Sequence, residues 1–186
     1  MKEKILDAAE KLVQDRGLNA VSFQDLADAV GLRKASVFHH FPNKEAVALA
    51  LIDRCGSKHG PKYAAVVESE ATAPEKLLRL AEIFEEGLRK QRPCLIAALG
   101  GGLNTLPKSA VAELADTAKA AVERFAAVFD QGRAEDSLKF DGSPYDAAMA
   151  FFAMLQGLQV LARASGSSEA FLLAARSYVD SITNAS

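Results

Sequence analysis

The stretch Ser22-Phe23-Gln24-Asp25-Leu26-Ala27-Asp28-Ala29-Val30-Gly31-Leu32-Arg33-Lys34-Ala35-Ser36-Val37-Phe38-His39-His40-Phe41-Pro42-Asn43-Lys44-Glu45 decides the reading of this chain. Ser22 stands three residues before Asp25, a hydroxyl and a carboxylate related to a capping box, so a short helix is expected over 23–30. Gly31 ends it, because a tight turn often needs the positive φ that glycine takes without strain. A second short helix is expected from Lys34 until Pro42, and Asn43 can cap another. Ala27 leaves room for the two helices to cross tightly, with Leu26, Val30, Leu32 and Val37 as the apolar set. Between Val30 and Lys44 the chain carries Arg33, Lys34, Lys44, His39 and His40 and no carboxylate. A local positive potential is expected there.

Working outward, residues 3–16 place Ile5, Ala8, Ala9, Leu12 and Val13 at helical spacing, ended by Gly17. After Asn43, the residues Ala46, Val47, Leu49, Ala50 and Ile52 mark a fourth helix. Gly56, Gly60 and Pro61 predict its break and a boundary between two units near 56–61. Helices are then expected over 74–90, 93–99, 108–129, 144–164 and 169–183, and no strand is legible. The expected fold is all-α. Composition agrees, since 35 Ala and 22 Leu outweigh 21 Val, Ile and Thr in 186 residues.

Charge and cysteine content exclude several classes. Lys plus Arg number 22 against 24 Asp plus Glu, a net charge of −2 that rules out a purely electrostatic, histone-like DNA binder. Cys55 and Cys94, the only cysteines, supply neither a disulfide framework nor the four ligands of a structural zinc. The expected compartment is a reducing cytoplasm. The first residues do not read as a signal peptide. The apolar window 147–162 contains Gln156 and Gln159 and is too short and polar to cross a bilayer, so no membrane partner is expected. Asn184-Ala185-Ser186 fits a glycosylation sequon with no other sign of secretion. His39 and His40 have no Cys, Asp or Glu at metal spacing, His59 has no legible role, and neither metal nor cofactor is expected.

The N-terminal helix followed by Ser22-Phe23-Gln24-Asp25-Leu26-Ala27 and Gly31-Leu32-Arg33-Lys34-Ala35-Ser36-Val37-Phe38-His39-His40-Phe41-Pro42-Asn43-Lys44-Glu45 resembles the TetR family of transcriptional regulators over about the first 55 residues. The resemblance implies a three-helix helix-turn-helix DNA-binding domain over 1–44, a connecting helix over 45–60, and a helical ligand-binding and dimerisation domain over 61–186. It implies a third helix in the DNA major groove, with Arg33, Lys34, Ala35, Ser36, Val37, His39 and His40 as groove candidates. Among these, Lys34 and Ser36 are the strongest for base edges. Lys44 looks like the family's phosphate-gripping lysine. Two positions depart from the family pattern: Arg33 stands where a Ser or Thr is usual, and Phe38 where a Tyr is usual. Arg33 is not a normal helix cap, and Phe38 has no phenol to offer a phosphate. Phe38 and Phe41 are read as core residues.

In the C-terminal half, Phe84, Leu88, Leu95, Ala98, Leu99, Phe125 and Phe129 can line an effector cavity or fill an ordinary core. Phe151, Met154, Leu155, Leu158, Leu161 and Ala162 form one broad apolar stripe, with Ala148, Phe152 and Gln159 on another side. Together with Phe171, Ala174, Ala175, Tyr178 and Ile182 they can form half of an intermolecular four-helix bundle, the homodimer that the resemblance also implies.

The leading functional reading is a repressor that binds a palindromic operator in double-stranded DNA as a dimer and is released by a small apolar or electrophilic effector. Cys94 is a candidate sensor thiol, because Pro93 suits a first helical position and Arg92 adjoins it; the apolar Leu95-Ile96-Ala97-Ala98 suggests instead an inert buried thiol. The other classes are a small helical enzyme with Cys94 as nucleophile, for which no activating His and carboxylate are legible, and a helical adaptor that does not bind DNA. Gly100-Gly101-Gly102 lacks the Gly-Lys-Ser/Thr of a phosphate-binding loop and is read as a helix terminator.

Overall fold

The computed structural model describes residues 1–184, so part of the Asn184-Ala185-Ser186 sequon lies outside the described residues. The described residues form the helices α1 (Lys2–Arg16), α2 (Phe23–Val30), α3 (Lys34–His40), α4 (Lys44–Val67), α5 (Ala73–Arg89), α6 (Leu95–Gly100), α7 (Lys108–Ala134), α8 (Pro144–Ser165) and α9 (Glu169–Ile182). Short 3₁₀ turns lie at Leu18–Ala20 and Leu103–Thr105. Among the described residues there is no strand, only a single antiparallel bridge between Leu138 and Thr183. The protein is all-α.

Two compact units emerge. The first joins Met1–Lys58 to Arg92–Ala118, and the second joins His59–Gln91 to the chain from Lys119 onward. Residues 92–118, assigned from sequence to a 61–186 domain, thus pack with the N-terminal helices. The boundary between units falls at 58–59, inside the stretch where the sequence predicts a break, yet α4 runs through it unbroken. A helical glycine costs only about 1 kcal/mol relative to alanine. Pro61 removes one backbone donor, and burial of Leu51, Ile52 and Cys55 before it and Tyr63 after it holds the helix on either side.

The core of the first unit is built by Ile5, Ala9 and Val13 of α1, Leu26 and Ala27 of α2, Val37 and Phe41, Val47, Leu51 and Ile52 of α4, and Leu95, Leu99, Leu106, Ala110 and Leu114. α6 begins at Leu95, two residues later than expected, because Pro93 stays outside the helix and its carbonyl accepts a 2.7 Å hydrogen bond from Gln14 Nε2. Beside it sits a buried carboxylate. Glu10 is 4% exposed and meets Lys58 at 3.0 Å, Arg54 at 3.4 Å and Arg92 at 3.9 Å, while Arg54 also pairs with Asp7 at 2.6 Å and with Glu3. One side chain therefore ties α1 to α4 and to the segment that leads into α6.

In the second unit α5, α8 and α9 pack together. Its centre is aromatic: Phe125 meets Tyr63 at 5.2 Å and Phe152 at 5.6 Å, Phe84 meets Phe152 at 5.9 Å, and Phe151 stacks on Tyr178 at 5.7 Å. Burial raises the pKa of the Tyr178 phenol. α8 starts on a capping box, with Asp146 N–H donating to Ser143 Oγ at 3.1 Å, and ends at Gly166 in the left-handed region. At 22 residues it is longer than the apolar window read from sequence, and by length and composition it is long enough to cross a membrane. Phe151, Phe152 and Leu155 are nonetheless buried inside the unit, as in the core helix of a folded domain.

Replacing Glu10 by Ala leaves Arg54 facing only Glu3 and Asp7 and strips Lys58 and Arg92 of their shared partner. We expect destabilisation of about 2 kcal/mol in urea unfolding, less than the roughly 3–5 kcal/mol of a fully buried pair because Lys58 and Arg92 reach solvent. An unchanged midpoint would show that the carboxylate does not hold the unit.

Candidate nucleic-acid interface

The hairpin of α2 and α3 forms as its residues dictate. Asp25 N–H donates to Ser22 Oγ at 3.1 Å, and Ser22 N–H donates to Asp25 Oδ2 at 2.7 Å, so the first orphan amides of α2 are satisfied. The Ser22 hydroxyl and amide, with Arg16 at 3.6 Å, hold the Asp25 carboxyl below its usual pKa. Gly31 takes φ 67° and ψ 34°, and Leu32 N–H returns to Ala27 O at 2.9 Å. Arg33 occupies the N-cap of α3 with no side-chain cap, as its chemistry requires, and Ser36 N–H reaches Arg33 O at 2.9 Å.

The rotation of α3 about its own axis follows from which residues are buried. Val37 is 0% and Phe41 1% exposed, both within the core of the first unit. Val37 is therefore withdrawn from the groove candidates, since a side chain enclosed by core cannot touch a base. Arg33, Lys34, Ala35 and His39 are exposed, and Ser36 and His40 are half-buried. Phe38, expected in the core with Phe41, is 42% exposed instead. With Val37 filling the interior, Phe38 is turned outward and covers one face of its ring on Phe23, stacked at 4.3 Å and 2°. The Lys34 ammonium lies 5.8 Å from the Phe38 ring centre.

Lys44 opens α4, and its ammonium donates to Asn19 O at 3.2 Å and Leu18 O at 3.4 Å. Asn43 Oδ1 accepts from Ala46 N–H at 2.8 Å, the cap expected from sequence. The later segment of the same unit braces this end: Thr105 Oγ1 donates to Asn19 Oδ1 at 2.6 Å, and Ser109 Oγ donates to Glu45.

The remaining site residues divide between the units. Cys94, Leu95 and Ala98 belong to the first, where Leu95 is buried and Ala98 packs half-buried against the core. Phe84, Leu88, Phe125 and Phe129 belong to the second, where Phe84, Phe125 and Phe129 form its aromatic centre. Cys94 is half-buried at the N-cap of the six-residue α6. Cys55, in the same unit, is buried, and burial pushes its thiol pKa far up.

The expected dimer stripe also separates. Phe151, Leu155, Phe171 and Ala175 are at most 1% exposed and fill the core of their own unit, so they have no surface left to offer a partner. Tyr178 and Leu158 are half-buried, and Leu161 is 66% exposed. Val160 of α8 and Leu173 of α9, at 62% and 61%, are further exposed apolar side chains that the sequence reading did not single out.

Comparison with known proteins bears on this arrangement. The family model of bacterial regulatory proteins of the tetR family matches residues 5–51. The HTH-type transcriptional regulator EthR of Mycobacterium tuberculosis is 46% identical over 50 residues, which are 27% of this chain and 23% of that one. The chain thus matches about a quarter of the length of that relative. The transcriptional regulator AcuR of Cereibacter sphaeroides is 26% identical over 159 residues, covering 83% of this chain and 73% of its own. A crystal structure of a TetR-family transcriptional regulator from Agrobacterium tumefaciens superposes with a TM-score of 0.92 at 26% identity, over 98% of this chain and 97% of that one. Helix order, hairpin geometry and these likenesses agree: residues 5–51 match the DNA-binding domain model of the tetR family, and the chain as a whole is similar in sequence and fold to TetR-family transcriptional regulators.

Proposed function

We propose that the protein is a ligand-responsive transcriptional regulator, a repressor that binds a palindromic operator as a homodimer and is released by a small apolar or electrophilic effector. The single observation that carries this reading is the outward face of α3, where Arg33, Lys34 and His39 are exposed in a stretch without carboxylates while Val37 anchors the helix from behind. A positive, carboxylate-free helix on an acidic chain favours a polyanion at that place. Lys34 and Ser36 read base edges, and Lys44, held against the carbonyls of residues 18 and 19, grips phosphate from a fixed position. Two such helices related by a two-fold axis enter major grooves about 34–36 Å apart, or a longer helical interval.

The dimer uses the exposed apolar surface of α8 and α9 at Leu158, Val160, Leu161 and Leu173, with Tyr178 at its edge. The effector acts through the aromatic centre around Phe84 and Phe125, or through Cys94. The second route has a physical basis in the first unit itself. Cys94 directly follows Pro93, whose carbonyl is bonded to Gln14 of α1, so a modification there disturbs the helix that supports α2.

Binding to promoter fragments of the source genome, followed by fluorescence anisotropy over a range of salt, tests this reading. Replacing Lys44 by Ala should weaken binding to every sequence and flatten the salt dependence, whereas replacing Lys34 or Ser36 by Ala should relax base preference by about 1–3 kcal/mol at one position. Unchanged affinity and preference in Lys34→Ala would remove α3 from the groove.

Asp at both Leu161 and Leu173 should give monomers in light scattering without loss of helicity, since both side chains are exposed within one chain and charge there harms only an interface. A dimer of wild-type affinity places the interface elsewhere.

A mild thiol electrophile should release wild-type protein from DNA and leave Cys94→Ser bound. Release that persists undiminished in Cys94→Ser assigns the effector to a non-covalent cavity. Cys55 is the internal control, because its buried thiol stays protonated and unreactive.

A further inference from the structure

The exposed face of α3 is not uniformly polar. Lys34 and His39 share it with Ala35 and with Phe38, whose ring is 42% exposed. A solitary exposed apolar side chain is ordinary on a protein surface. Phe38 differs in being held. One face of its ring lies flat on Phe23 at 4.3 Å, and the Lys34 ammonium lies over the ring 5.8 Å from its centre, so the ring edge is what is presented to solvent, in one fixed orientation. Phe23 is itself buried at the first position of α2, just after the Ser22 cap, which anchors the stack to the hairpin.

Such a ring cannot serve a phosphate, having neither charge nor hydrogen-bond donor. The apolar group that a major groove offers is the C5-methyl of a pyrimidine, which unmodified DNA carries only on thymine. We propose that Phe38 is a specificity-determining residue that packs against a thymine methyl in each half-site of the operator. The proposal rests on the reading of α3 as the groove helix and adds to it a preference that the lysine, arginine and histidine side chains cannot supply. Lys34 directs the ring toward the duplex: its charge draws the phosphates close, while the ring, already immobilised by Phe23, loses little conformational freedom on contact.

The test uses the full-length protein and a duplex selected by it from a random-sequence pool. Each thymine of the selected site is replaced in turn by deoxyuridine, which removes the methyl and keeps Watson–Crick pairing. Wild type should lose about three- to fivefold in affinity at one or two thymines per half-site and nowhere else. In Phe38→Ala and in Phe38→Gln, a polar replacement with good helix propensity, that loss should vanish, while Phe38→Tyr, which keeps the ring, should retain it. Far-UV circular dichroism and thermal melting establish which variants remain folded, and the wild-type scan stands without them. Deoxyuridine without effect at every position, on a duplex that still binds, overturns the assignment of Phe38 and leaves α3 as the groove helix. A loss that persists in the folded Ala or Gln variant gives the methyl to another side chain and equally overturns it. Failure to enrich any duplex overturns the regulatory reading itself, and this proposal with it.

Discussion

Burial of Val37 and Phe41 is the constraint on which the N-terminal unit depends. α3 has seven residues, too few to persist as an isolated helix, and it exists because these two side chains are enclosed by α1, α2 and α4. Their burial also fixes its rotation. Once Val37 points inward, the side chains at 34, 35, 38 and 39 must point outward, and an otherwise acidic chain displays a positive, carboxylate-free surface with an aromatic ring in its middle. The hydrophobic effect thus sets which residues are available for recognition before any partner is present.

The brace behind this hairpin comes from a distant part of the chain. Residues 92–118 supply Leu95, Leu99, Leu106, Ala110 and Leu114 to the same core; Gln14 donates a hydrogen bond to that segment, Asn19 accepts one from it, and Glu10 pairs with its Arg92. Glu10 is buried with cations from α4 and from Arg92, an arrangement that costs desolvation and is tolerable only while each partner stays in place. An event that shifts Arg92, Pro93 or Cys94 therefore acts on α1 directly. This is a short physical route from the start of α6 to the helices that hold α3, and it lies entirely within one compact unit.

Much of this was legible in local chemistry. The Ser22–Asp25 cap, the left-handed Gly31 and the Asn43 cap are set by neighbours a few residues apart, and sequence reading recovers them. What escaped it depends on contacts between residues far apart in the chain. α4 crosses Gly56, Gly60 and Pro61 because core residues on either side hold it, a tertiary effect that outweighs local propensity. Glu10 reads as one more solvated charge on an amphipathic helix until Arg92 is brought to it from 82 positions away, 92 minus 10. Phe38 reads as core by composition, and only the phase imposed by Val37 turns it outward. In α8 the apolar stripe was visible, but composition could not tell the half consumed by the chain's own core, Phe151 and Leu155, from the half left exposed at Val160 and Leu161.

Lysine footprinting by acetylation and mass spectrometry, with and without saturating cognate DNA, tests the central claim most directly. The account predicts that DNA protects Lys34 strongly while Lys119 and Lys139, exposed in the second unit, are labelled at an unchanged rate. Equal labelling of Lys34 in the free and bound protein, or protection concentrated at Lys119 and Lys139, would contradict it.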